Sequence, residues 1–144
     1  MKGKEVLFSH KSDEWETPQD LFDELDKEFH FDLDVCATNE NTKCLLHYTP
    51  QDDGLSKDWS AWDTIWCNPP YSNIKDWAKK CSKHKGLAVM LVPARTDTKW
   101  FHEYCYNKPN VEIRFIKGRL KFGKSKNSAP FPSMIIIFDG GKND

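Results

Sequence analysis

The run Thr64-Ile65-Trp66-Cys67 is followed at once by Asn68-Pro69-Pro70-Tyr71, and this junction constrains the chain more than any other feature. Apolar residues rich in β-branched and aromatic side chains read as a buried strand. Two consecutive prolines then end it, because neither has a backbone N–H to give to a ladder. The chain must leave the sheet in a stiff, extended conformation. That stiffness fixes the Asn68 side-chain amide, the Pro69 carbonyl and the Tyr71 ring relative to one another. Two acceptors beside a flat aromatic face suit a planar ring that carries an exocyclic amine. The amine gives its hydrogens to the acceptors while the ring stacks on the tyrosine. A proline-rich ligand for an aromatic groove would sit in a polar tail, whereas this tetrapeptide abuts a strand.

The rest of the chain alternates helix and strand patterns. Thr17-Pro18 opens a helix, with Thr17 as N-cap, Pro18 at the first helical position and Asp20 in the first turn. Leu21, Phe22, Leu25 and Phe29 then share one face. Phe31, Leu33 and Val35 alternate with Asp32 and Asp34 as a short strand, and a further short strand is expected near residues 45–48. Residues 73–83 and 96–106 read as helices, 87–92 as a buried parallel strand and 111–116 as another strand. Residues 118–123 and 133–138 look like the arms of a long hairpin. The expected class is α/β, a single domain with a mixed, mostly parallel sheet and a C-terminal antiparallel hairpin. In such sheets ligands bind beyond the carboxyl ends of the strands, where the Asp34 and Asn68 loops lie.

Length and composition narrow the field. A chain of 144 residues with 30% charged and 13% aromatic side chains suits one globular domain. The apolar stretches are too short to span a bilayer, and no signal peptide is read at the N-terminus, so a cytoplasmic protein is expected. Five cysteines without framework spacing read as free thiols. Cys44-x-x-His47 and Cys81-x-x-His84 imitate zinc pairs, but no second close cysteine pair supports them and no metal is expected. Cys67 ends its strand, so its side chain should point into the core, opposite to Asn68.

The net charge of −1 hides an asymmetry. Residues 1–63 carry 16 acidic and 6 basic side chains; residues 64–144 carry 6 acidic and 15 basic ones. Between Ile113 and Phe138 there is no acid, while Arg114, Lys117, Arg119, Lys121, Lys124 and Lys126 are basic. One-sided separation in a small domain attracts a polyanion to one side.

Together these pieces identify a resemblance. The chain resembles the phage-type DNA N-6-adenine methyltransferase family of the Rossmann-like, S-adenosylmethionine-dependent class. The likeness runs from Trp15 to about Phe138. Its pieces occur in order: Trp15-Glu16-Thr17-Pro18; Phe31-Asp32-Leu33-Asp34-Val35-Cys36-Ala37; Asp52-Asp53-Gly54-Leu55; Asn68-Pro69-Pro70-Tyr71; Leu91-Val92-Pro93-Ala94-Arg95; and Gly118-Arg119-Leu120-Lys121-Phe122. The resemblance implies a methyltransferase domain over residues 15–140 behind an N-terminal arm, residues 1–14, with no separate target-recognition domain. It implies Asn68, Pro69, Pro70 and Tyr71 at the reacting amine. It puts Thr17 and Pro18 at the methionine end of S-adenosylmethionine, and Asp34, Cys36 and Ala37 in place of the acidic, glycine-rich first loop of the class. No glycine follows Asp34 closely here. Asp53 matches a position facing the cofactor adenine, while the ribose has no clear acidic partner beyond Glu40. Thr17 also reads as a helix cap, Asp34 as a strand-end turn residue and Asp53 as half of an Asp-Gly turn.

The reaction implied is methyl transfer to the N-6 amine of an adenine flipped out of double-stranded DNA, with no covalent enzyme intermediate. Tyr71 would stack on the base, with Phe122 or Phe131 closing its other face. Arg119, Lys121, Phe122, Lys124 and Lys126 would contact DNA, and a homodimer would suit so short a chain. RNA adenine, a protein glutamine amide, and a non-catalytic nucleic-acid-binding role on the same fold are the alternatives.

Overall fold

A computed structural model describes residues 15–123 and 126–143. The arm 1–14 and Lys124 therefore lie outside the described residues. The elements are α1 (Gln19–Phe29), β1 (Leu33–Asp34), β2 (Thr64–Cys67), α2 (Ile74–Lys83), β3 (Leu87–Pro93), α3 (Lys99–Tyr104), β4 (Val111–Phe115) and β5 (Ser133–Asp139). Short 3-10 turns cover Gly54–Ser56, Tyr71–Asn73 and Gly140–Asn143. Among the described residues no helix is long and apolar enough to cross a membrane.

The strands form one five-stranded sheet in the order β1-β2-β3-β5-β4. β1, β2 and β3 run parallel, whereas β5 is antiparallel to both β3 and β4. The sheet is therefore mixed rather than mostly parallel. The reason is β5: it enters between β3 and β4, so its antiparallel pairing counts on both sides. The C-terminal hairpin is corrected as well. Its first arm is β4, and residues 118–123 carry no strand. Leu120 and Phe122 turn toward the α1 face instead of pairing, with Gly118 and Gly123 at φ +75° and +55° redirecting the backbone. β1 keeps only its central residues in the ladder, and His47 meets Asp34 in a single parallel bridge on its outer edge.

Alternation along the strands sorts the core into two layers. Trp66, Val89, Leu91, Ile135 and Ile137 face α1, where Phe22 and Leu25 pack on them together with Phe122 and Ala129. Ile65, Cys67, Met90, Val92 and Ile136 face the other way, against Ile74, Trp77 and Cys81 of α2 and Trp100 and Phe101 of α3. β5 supplies both layers, which explains why Ser133 to Phe138 are all buried. Glu28 of α1 pairs with Arg114 of β4 through two 2.7 Å bonds and ties the first layer to the sheet edge.

Parallel β1–β3 bring the chain out at one end of the sheet, at Asp34, Asn68 and Ala94. β4 also ends there, and β5 begins there, since Pro93 pairs with Ser133 and Phe115 with Met134. Residues 116–123 and 126–132, between β4 and β5, thus leave and re-enter the sheet at the same end.

Candidate active site

The Asn68 loop is built as the prolines require. β2 stops at Cys67, Pro70 is extended at φ −63° and ψ 130°, and Tyr71 starts a turn that leads into α2. The Asn68 amide nitrogen donates to the Trp15 carbonyl and, across 3.0 Å, to the Thr17 hydroxyl. A carbonyl only accepts, so the nitrogen must face Trp15 and the oxygen must face away. That oxygen, Asn68 Oδ1, is buried and has no hydrogen-bond partner. Buried unpaired acceptors cost free energy comparable to a lost hydrogen bond. A hydrogen-bond donor from outside the chain would supply what is missing.

Thr17 is therefore not the helix cap expected of it. It is 2% exposed and holds Asn68, while Pro18 occupies the N-cap position of α1 and no side chain caps that helix. The missing cap is explained by geometry: the threonine hydroxyl faces the sheet end, not the first turn of α1.

Tyr71 is 8% exposed and its hydroxyl is buried without a partner. Burial raises its pKa above the ordinary tyrosine range. The indole of Trp15 lies parallel to its ring, centroids 6.2 Å apart at 13°. Phe122 and Phe131 meet both rings edge-on, at 74° to 83° to Tyr71 and 70° to 82° to Trp15. The ring that parallels Tyr71 is thus Trp15, not either of the expected phenylalanines. Trp15 was legible only as a neighbour of Thr17, because nothing local in sequence says that it folds back on Tyr71.

Next to this cluster opens a cavity of about 110 Å³. It is lined by Thr17, Asp34, Cys36 and Ala37 from the expected set, by Asn68 and Pro70, and by Trp15, Lys43 and Trp66, which sequence reasoning did not place there. Pro18, Glu40 and Asp53 are not in its lining, whereas Asn41 and Pro50, close to the last two in sequence, are. Asp53 is exposed and sits in the left-handed region at φ 57°. Its successor Gly54 is pressed so close to the strand end that a Cβ would lie 2.2 Å from the Val35 carbonyl. The Asp-Gly pair is a packed turn that carries Pro50 to the cavity edge.

Asp34 is 2% exposed, and each carboxylate oxygen accepts one backbone N–H, from Cys36 at 3.3 Å and Lys43 at 3.0 Å. Desolvation raises its pKa to about 6, against the pull of those amides. The carboxylate thus shapes the 36–43 loop around the cavity. Lys43 follows with a side chain only 8% exposed, its ammonium on Gln19 Oε1 at 2.9 Å and 4.0 Å from Glu16. It is a cation at the cavity wall, within the acidic half of the chain.

Comparison with known proteins meets this geometry. The family model of the DNA N-6-adenine-methyltransferases (Dam) matches residues 5–143. The DNA N-6-adenine-methyltransferase of Haemophilus phage HP1 (strain HP1c1) is 31% identical over 142 residues, covering 90% of this chain and 81% of that protein. The DNA N-6-adenine-methyltransferase of Escherichia phage T1 is 32% identical over 103 residues, 69% of this chain and 43% of that protein. The chain belongs to the DNA N-6-adenine-methyltransferase (Dam) family. As a member it is an adenine N-6 methyltransferase of DNA.

In this methyltransferase the basic stretch lies at the site end of the sheet. Arg119, Lys121 and Lys126 are exposed on the 116–132 loop. Phe122 is 5% exposed and belongs to the aromatic cluster beneath that loop, so it is not on the outer surface with them. Arg114 is held by Glu28 and Glu112, which removes it from the set of unpaired cations. The loop is fastened to the site by Gly123, whose N–H donates to the Glu16 carbonyl at 2.8 Å. These exposed cations therefore belong to the connection at the Asn68 end of the sheet.

Proposed function

We propose that this chain transfers a methyl group from S-adenosylmethionine to the N-6 amine of an adenine flipped out of duplex DNA, without a covalent enzyme intermediate. The observation that carries this reading is the buried, unpartnered Asn68 Oδ1. The adenine amine is a poor nucleophile because its lone pair is delocalised into the ring. An acceptor at Asn68 Oδ1, with the Pro69 carbonyl as the second, draws density onto nitrogen through its hydrogens and favours a pyramidal geometry. Most of the rate then comes from positioning and from dipoles fixed in advance, not from a strong base.

The chain's residues fit the cofactor. When bound, S-adenosylmethionine supplies an electrophilic methyl on a sulfonium. Lys43 would hold its carboxylate, since a cationic side chain only 8% exposed at the wall of an open cavity favours an anion. Thr17 and the Cys36-Ala37 turn would wall the methionine end. Asp34 would act through the loop it fastens, because both of its oxygens already accept backbone amides. Tyr71 offers the stacking face, and Arg119, Lys121 and Lys126 would engage phosphates. Incubation with labelled cofactor and unmethylated duplex DNA, followed by nucleoside analysis, tests the reading. N-6-methyldeoxyadenosine is expected. Label in RNA or protein alone, or no label with folded protein, overturns it.

A further inference from the structure

We infer that Trp15 is the ring that closes on the target adenine from the side opposite Tyr71, and that it is shared between the base seat and the cofactor cavity. This rests on the proposed reaction and adds a residue to it. Three observations converge. The indole is the group that lies parallel to Tyr71, at 13°, while Phe122 and Phe131 touch both rings by their edges. Its backbone carbonyl receives the Asn68 amide and so turns Oδ1 toward the seat. Trp15 also lines the cavity together with Thr17 and Lys43.

A flat base held between two rings needs centroids about 6.8 Å apart, two layers at the roughly 3.4 Å spacing of stacked bases. The two rings stand 6.2 Å apart and already parallel. Seating a base on Tyr71 thus requires the indole to give way while keeping its near-parallel attitude. Phe122 and Phe131 flank the indole edge-on, and the Gly123 N–H donates to the carbonyl of Glu16, the residue after Trp15. Because one residue borders both compartments, a filled cavity sets where its ring can stand. Cofactor and base should therefore bind cooperatively through Trp15.

The test begins by mapping the methylated position on DNA treated with the wild-type protein. Failure to methylate any adenine at this stage counts against the proposed reaction, not against Trp15. A duplex with 2-aminopurine at the mapped position then reports stacking of the flipped base. In wild type, S-adenosylhomocysteine should tighten duplex binding and quench the probe. Trp15→Leu should weaken base-dependent binding about five- to a hundredfold, as loss of one stacking face does. It should also leave the probe brighter and abolish the cofactor effect on duplex affinity. Trp15→Phe, which keeps a flat ring, should restore quenching and coupling. A Trp15→Leu protein that loses only affinity for S-adenosylhomocysteine, with quenching and turnover unchanged at saturating cofactor, overturns the inference. Should Trp15→Leu fail to fold, 8-azidoadenine at the mapped position decides with the wild-type protein. Crosslinks on Trp15 support the assignment, and crosslinks confined to residues 120–131 overturn it.

Discussion

Asn68 donates its side-chain amide to the Thr17 hydroxyl across 3.0 Å, joining residues 51 positions apart. Together with the Trp15 carbonyl, this bond decides which end of the amide faces the substrate. Thr17→Val keeps the shape and removes the acceptor. Turnover at saturating cofactor and DNA should fall about five- to tenfold, the worth of one hydrogen bond of roughly 1 kcal/mol. Thr17→Ser should stay near wild type. Asn68→Ala removes the acceptor itself and should cost at least about a hundredfold, by analogy with loss of one transition-state hydrogen bond. Wild-type turnover in folded Asn68→Ala protein would sink the proposed role.

DNA binding should depend on the connection between β4 and β5. Arg119→Ala and Lys121→Ala each remove one exposed cation from that loop. The slope of log affinity against log salt should shrink by about one for each phosphate that is no longer neutralised. Affinity for S-adenosylhomocysteine should not change. Arg114→Ala is the internal comparison: its guanidinium is already paired with Glu28 and Glu112, so it should lower thermal stability more than the salt slope. Unchanged slopes in both loop variants would move the DNA face to another part of the surface.

The residues of this site were legible where local chemistry dictated their behaviour. Pro69 and Pro70 could only end a strand, and they do. Leu87 to Val92 read as a buried strand because every residue was apolar, and β3 is buried nearly throughout. What escaped was set at long range. The place of β5 between β3 and β4 depends on which partner an all-apolar strand meets first, and periodicity carries no such information. Thr17 looked like a helix cap because the residues that follow it permit a cap; its true partner lies beyond three intervening elements. Lys43 carried no local signal of its own, and only the fold of the 36–43 loop around Asp34 brought it to the cavity.

Asp34 gives the stability a definite pH dependence. Its folded pKa, about 6, lies above the ordinary aspartate value of 3.8. Between these values the native protein holds a proton that the unfolded chain has lost, so stability falls as pH rises through the window. Integrated over about two units, the term amounts to roughly 3 kcal/mol, present below pH 4 and gone above pH 6. Glu28, Asp52 and Asp58 are shifted downward and act in the opposite sense. The difference between wild type and Asp34→Asn, followed by denaturant unfolding from pH 4 to 7, isolates the contribution. A difference that does not vary with pH would mean that the carboxylate is charged at both ends of the range.

Cys67, immediately before Asn68, invites comparison with cytosine C-5 methylation, in which a thiolate adds to ring carbon. The fold turns it away. Trp66 faces α1, Cys67 faces the opposite layer, and its side chain is fully buried. Burial pushes its thiol well above the ordinary cysteine range, and Cys81 beside it pushes further in the same direction. A thiol kept protonated in an apolar layer is a poor nucleophile. An amine needs no adduct, because it brings its own lone pair. Cys67→Ser should therefore retain methyl transfer to adenine while losing stability, by about 1–3 kcal/mol for a hydroxyl buried among apolar groups. Cys36→Ser, at the cavity edge, should also stay active. Duplex DNA containing fluorocytosine should give no trapped covalent complex. A folded Cys67→Ser protein without activity, together with such a complex from wild type, would overturn direct transfer to the amine.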